Sequence, residues 1–260
     1  MSATNCGRCA APPIAHALCR RSERGFSLIE IALVLVVMGV LLGMSLKSQD
    51  LLEQYRQSQF VTQVQTLVSN ARAHRSAVGR WPGDCNRDGL VDGVFVTLGT
   101  LTSGARLDYA VSTSLASAAT SDAAYTLGNV CPLNSLRPFE NVNVAFNELK
   151  RAALTPTGES NRKSANHGLG GFAYLGTFET ASSGVTIEQK FNAVLLTDVS
   201  IQVARRLATA IDGQDGSAAN TGRVRRTNDD LQTFAPLWTA AGETELARTT
   251  VVVFFDRIPP

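Results

Sequence analysis

The feature that most constrains this chain is an apolar run from Phe26 to Leu46, in which the only polar side chains are Ser27, Glu30 and Ser45. As a helix that run spans about 31 Å, enough to cross the hydrocarbon core of a bilayer. Arg20, Arg21 and Arg24 stand before it with a single acid, Glu23. The positive-inside rule therefore keeps the preceding segment cytoplasmic and sends everything after Leu46 across the membrane. Glu30 needs its own explanation, because an ionisable group inside a membrane segment is costly and is usually there for a function.

Arg24, Gly25 and Phe26, followed by apolar residues and Glu30, resemble the signature of type IV pilin and type II secretion pseudopilin precursors. In that family a basic residue, Gly and Phe lead an apolar run whose fifth residue after the cut is Glu. The resemblance implies cleavage between Gly25 and Phe26 by a prepilin peptidase, N-methylation of the new Phe26 amine, and a role for Glu30 in assembly. A cleaved secretory signal has its cut after a short apolar core. Here the implied cut comes before the core, so the membrane segment stays on the mature protein.

After Leu46 the pattern becomes polar with one apolar stripe. Phe60, Val64, Leu67, Val68 and Ala71 fall on a single helical face. Gly79 and Pro82 supply the stop. The spacing predicts one helix from Phe26 to about Val78, with a membrane half and an amphipathic half. Gly39 and Gly43 form a G-x-x-x-G that either lets two helices approach closely or is simply tolerated. Many members of the family carry a Pro near the end of this segment, where this chain has Lys47.

Beyond Gly79 the chain turns to Gly, Asn, Asp, Ser and Thr with short apolar runs. Val94 to Leu98, Phe172 to Phe178 and Val251 to Phe255 are β-branched or aromatic between turn residues and are predicted strands. Phe139, Val142, Phe146, Leu149 and Ala153 predict one amphipathic helix. Val203, Leu207 and Ile211 predict another, with Ser200 as cap and Gly213 as stop. The expected fold class is α+β, a long amino-terminal helix packed on a β-rich, pilin-like head. The expected divisions are a leader at 1–25, the helix at 26–79 with its membrane part at about 26–46, and an extracytoplasmic head at 80–260. Looser resemblances continue into the head at Trp81-Pro82-Gly83-Asp84, at Ala210 to Gly213 and at Asn220 to Arg225. They point to the minor pilin or pseudopilin branch.

The formal charge of +2 divides at the implied cut, because residues 1–25 hold four Arg and one Glu. The mature chain is therefore near neutral, with no basic patch that would suggest nucleic acid. Of the five Cys, Cys6, Cys9 and Cys19 belong to the leader. With His16 they could make a four-ligand zinc set, but their spacing matches no common zinc module. Cys85 and Cys131 are the only two beyond the membrane, where disulfides persist, and are expected to pair.

Asp84, Asn86, Asp88 and Gly89 have the D-x-[DN]-x-[DN]-G opening of a calcium loop, while the twelfth position, normally Glu, is Phe95. The competing reading is a solvated Asx turn. No other cofactor is implied. Nothing suggests an enzyme: there is no G-x-S-x-G, no H-E-x-x-H and no phosphate-binding loop. His74 lies on the long helix, and His167 is expected to be a solvated loop residue in its Asn-His-Gly setting.

The resemblance implies a structural subunit, a minor pilin or pseudopilin of a type IV pilus or type II secretion filament. Its implied partners are the prepilin peptidase, other pilin or pseudopilin subunits, an inner-membrane assembly platform and membrane lipid. Its implied location is the inner membrane, leader in the cytoplasm and head in the periplasm, and then the filament. The alternative is a membrane-tethered extracytoplasmic binding module that never polymerises.

Overall fold

The computed structural model describes residues 27–96, 130–131, 142–180, 189–213 and 218–259, except for the side chains of 44–50 and of Val142. Two compact units emerge, Met1–Asp50 and Leu51–Pro260. A single helix, α1, covers Leu28–Val78. The remaining elements are α2 (Val142–Arg151), α3 (Asn161–Ala165), β1 (Ala173–Thr180), β2 (Gln189–Ser200), α4 (Ile201–Asp212), β3 (Val224–Arg226) and β4 (Arg248–Phe254).

In the first unit α1 begins after Ser27, whose carbonyl accepts the N–H groups of Glu30 (2.9 Å) and Ile31 (3.2 Å). The large apolar side chains that follow stand in the open, from Leu28 at 87% exposed to Leu42 at 67%. Among the described residues no helix is long and apolar enough to cross a membrane. The described side chains of this part of α1 run only from Leu28 to Gly43. Phe26 and the side chains of 44–46, which complete the expected span, lie outside the described residues.

In the second unit the helix carries its expected stripe. Phe60, Val64, Val68 and Ala71 are buried, and Leu67 is partly so. Gly79 ends α1 in the left-handed region (φ 83), with its N–H donated to the Arg75 carbonyl at 2.8 Å.

The sheet is antiparallel throughout, in the order β1-β2-β4-β3. Alternate residues of a strand point to opposite faces, and both faces of this sheet are covered. Leu175, Val194, Leu196, Val251 and Val253 join the α1 stripe together with Val203 and Leu207 of α4. Tyr174, Phe178, Ala193, Leu195, Val252 and Phe254 join Phe146 of α2 and Phe95 in a second cluster. The chain is thus α+β, as its sequence predicts.

Several local expectations are revised. β2 is a central strand, paired with β1 from Leu196 to Gln189 and with β4 on its other edge, yet its pattern does not single it out. Residues Phe191 to Leu196 are all buried, so no polar alternation marks a period. Of the strand predicted from Val94 to Leu98, the described residues 94–96 do not form one. Val94 makes one parallel bridge to Thr177, Phe95 and Val96 turn helical, and the rest lies outside the described residues. The stripe predicted from Phe139 to Ala153 runs too far at its carboxyl end, while Phe139 lies outside the described residues. α2 stops at Arg151, and Ala153 adopts φ 55 while Leu154 N–H closes back on the Leu149 carbonyl at 2.9 Å. Ser200 and Gly213 do flank α4, Gly213 at φ 70, although the Ser200 side chain makes no capping bond.

Candidate functional site

The amino-terminal site combines an apolar helix with one carboxylate. Glu30 lies in the first turn of α1, among the exposed side chains of Leu28, Ile29, Ile31 and Leu33. Gly25 and Phe26, the expected cut, lie outside the described residues, so the structure gives no geometry between them and Glu30. Cα-bearing space beside Gly39 and Gly43 is open, with nothing within 4 Å of where a Cβ would be.

A second concentration of chemistry lies at the carboxyl end of α1. Arg80 forms a two-pronged pair with Glu148 of α2, at 2.5 and 2.6 Å, and also donates to the Asp84 carbonyl at 3.1 Å. Glu148 is only 2% exposed, and a buried carboxylate must be paired or it neutralises. His74 Nε2 is 3.8 Å from the same carboxylate and its Nδ1 is 3.1 Å from the Arg80 carbonyl. Burial lowers the His74 pKa from its usual value, which keeps the ring neutral. Nothing in the local sequence pairs Arg80 with Glu148, which are 68 positions apart.

The turn Trp81-Pro82-Gly83-Asp84 follows α1 and lies against Ala145 of α2. Gly83 sits at φ 85, and a Cβ there would lie 3.2 Å from that of Ala145, so close helix contact favours glycine. Cys85 and Cys131 are joined by a disulfide with a Cα–Cα distance of 4.9 Å, beside Val144 of α2. Within the same turn Asp84 Oδ2 accepts the Gly89 N–H at 3.2 Å, Asn86 Oδ1 that of Asp88 at 3.2 Å, and Asp88 Oδ1 that of Leu90 at 2.8 Å. Asp92 turns Oδ2 to the Cys85 N–H at 3.1 Å. Among the described residues no three of His, Cys, Asp and Glu form a ready metal cluster.

The later family-like segment has a clear local role. Asp212 accepts the N–H groups of Arg223, at 2.9 and 3.0 Å, and of Val224, at 3.0 Å, which fixes the start of β3. Gly222 is at φ 77, and a Cβ there would meet the Asp212 carboxylate at 2.5 Å. Both the backbone angle and the close approach therefore call for glycine.

His167 corrects an expectation. It is not solvated but only 3% exposed, with Nε2 donating to the Thr197 carbonyl at 2.8 Å and its ring edge-on to Phe60 at 5.0 Å. Burial lowers its pKa. It is a core histidine tying the α3–β1 turn to β2. Sequence context misses it because Asn and Gly neighbours report a turn, not whether that turn is covered.

Residues 20–46 match the prokaryotic N-terminal methylation motif. No curated protein and no solved structure matches the chain. The matched segment contains the basic residues, Gly25, Phe26 and Glu30 in the required order, and it continues through the exposed apolar turns of α1. Such a motif implies an inner-membrane-anchored amino-terminal helix processed by prepilin peptidase. What the match shows is the prepilin-type motif itself, at residues 20–46 of the 260-residue chain.

Proposed function

We propose that the chain is a minor pilin or pseudopilin, a structural subunit of a type IV pilus or type II secretion filament. One observation carries the reading. Within the matched motif at residues 20–46, the helix leaves its apolar side chains exposed from Leu28 to Leu42. Exposed apolar surface on that scale belongs against lipid or other apolar helices.

The peptidase removes residues 1–25, Phe26 carries the new methylated amine, and the helix waits in the inner membrane. Glu30 lies four residues on, about 6 Å along the helix. Its carboxylate is costly among apolar neighbours unless paired. The Phe26 amine of a subunit already in the filament supplies the opposite charge, and the pairing draws the incoming helix into axial register. The head, residues 80–260, stays outside, its first turn held by the Cys85–Cys131 disulfide.

Processing is tested with Gly25→Val, which crowds the small-residue position before the cut. The intact mass of the wild-type chain is expected to begin at Phe26, and that of Gly25→Val to retain residues 1–25. A mature protein starting at Phe26 in Gly25→Val, or in a strain lacking the peptidase, overturns the assignment. Correct cleavage with no protein in sheared filaments would favour a tethered binding module.

A further inference from the structure

The turn after α1 contains a carboxylate whose arrangement the assembly reading does not use. Asp84 is 2% exposed, and its Oδ1 is buried without a hydrogen-bond partner. A buried carboxylate oxygen left in that condition is expensive. Its other oxygen is committed to the Gly89 N–H across the loop, so the carboxyl group closes over the turn that it opens.

The backbone has the form that oxygen ligands around one cation require. Arg87 and Gly89, the fourth and sixth positions counted from Asp84, are in the left-handed region at φ 62 and 87. The first position reaches the N–H of the sixth, and the third reaches that of the fifth. Asp84, Asn86 and Asp88 thus occupy the alternating positions whose side-chain oxygens converge in a calcium loop.

A cleft of about 230 Å³ lined by Asp84, Arg87 and Gly89 opens beside the turn. Its other cations are already engaged, Arg80 by Glu148 and Arg75 by Asp256 at 3.4 Å.

We propose that residues 84–92 form a calcium site, with Asp84, Asn86 and Asp88 as side-chain ligands and backbone carbonyls completing the oxygen set. Asp92 is a positioning residue, holding the Cys85 N–H and so the disulfide end of the loop. The donors are all hard oxygens on a pliable loop, which suits Ca²⁺ better than the smaller, octahedral Mg²⁺. The twelfth position is Phe95, fully buried in the core, so the bidentate Glu of stronger loops is missing. Affinity is expected in the weak range of extracellular modules, on the order of 10⁻⁴–10⁻³ M.

The test uses the detergent-solubilised full chain. Ca²⁺ binding is titrated calorimetrically, and the thermal midpoint is followed in Ca²⁺, in Mg²⁺ and in chelator. The wild type is expected to bind one Ca²⁺ saturably and to melt higher in millimolar Ca²⁺ than in Mg²⁺ or chelator. Asp88→Asn is an exposed change that leaves the core alone and should weaken binding at least about tenfold. Asp84→Asn should abolish the calcium response while raising the midpoint in chelator, because it removes the unsatisfied charge. Asp230→Asn, altering an equally exposed Asx turn elsewhere, should leave binding unchanged. No saturable binding by the wild type up to several millimolar Ca²⁺, or equal binding by Asp88→Asn, overturns the proposal.

Discussion

The two ends of α1 share a secondary structure but differ in environment. From Leu28 to Gly43 the helix is apolar except for Glu30 and exposed throughout, and Tyr55 is still 62% exposed. From Phe60 to Ala71 it is polar except for one stripe, and that stripe is buried. An all-round apolar helix needs apolar surroundings on all sides, whereas a striped one needs a single partner face. The head meets the second requirement: Asn70 Nδ2 donates to the Leu154 carbonyl at 2.9 Å and Arg72 to that of Phe255 at 3.1 Å. Among the described residues the apolar side chains from Leu28 to Leu42 stay exposed.

The contrast is most strongly tested at Glu30. Glu30→Ala is expected to leave cleavage and membrane content near wild type while cutting the protein found in sheared filaments by tenfold or more, about the effect of losing ~1.4 kcal/mol of assembly energy. Glu30→Asp, one methylene short, should fall between. Normal incorporation of Glu30→Ala breaks the assignment of this end of α1 to assembly.

At the other end, Phe60→Ala removes a fully buried ring and is expected to cost about 3–5 kcal/mol of head stability. Leu35→Ala, at 66% exposure, should change it by less than about 0.5 kcal/mol. Chemical denaturation of the detergent-solubilised chain, followed by tryptophan fluorescence, compares the two. Equal effects would erase the distinction.

Glu148→Gln breaks the paired charge that holds the end of α1 against α2. It is expected to cost roughly 3 kcal/mol, the low end for a broken buried pair because Arg80 keeps some solvent access. Cys85→Ser with Cys131→Ser should cost about 2–4 kcal/mol, measured in the same way. A loss in either case without any change in filament incorporation would show that this turn serves the head alone.

The smallest expected effect is that of pH. Burial lowers the folded-state pKa of both His74 and His167 below the ordinary 6.5. Each therefore adds stability that is present above about 6.5 and lost as pH falls through its folded value, since unfolding then takes up protons. Stability of the head should decline on acidification below about pH 6.5, and His167→Gln should flatten that decline. A slope unaffected by His167→Gln would assign the effect elsewhere.

These contrasts also show how much was legible in the residues. The stripe on α1 could be read because one face repeats over Phe60, Val64, Val68 and Ala71, and the periodicity itself says which side is covered. β2 could not, because a central strand buried on both faces shows no alternation over Phe191 to Leu196. The buried state of His167 was equally hidden, since its cover comes from Phe60, more than a hundred positions away. At the carboxyl end of α1, the pair of Cys85 with Cys131 could be expected by counting, but the Arg80–Glu148 pair and the orphaned Asp84 oxygen could not.

The sequence by itself determined the covalent and local part of this protein. The order of Arg24, Gly25, Phe26 and Glu30 fixes the prepilin-type motif, and the apolar period fixes where helix is amphipathic, because both are properties of neighbours along the chain. Tertiary structure alone decided the strand order β1-β2-β4-β3, the covering of α2 on all sides and which charges meet at Glu148. Those outcomes depend on desolvation. Burying Glu148 is tolerable only with Arg80 against it, and that partner is set by how the whole head closes, not by any spacing in the chain.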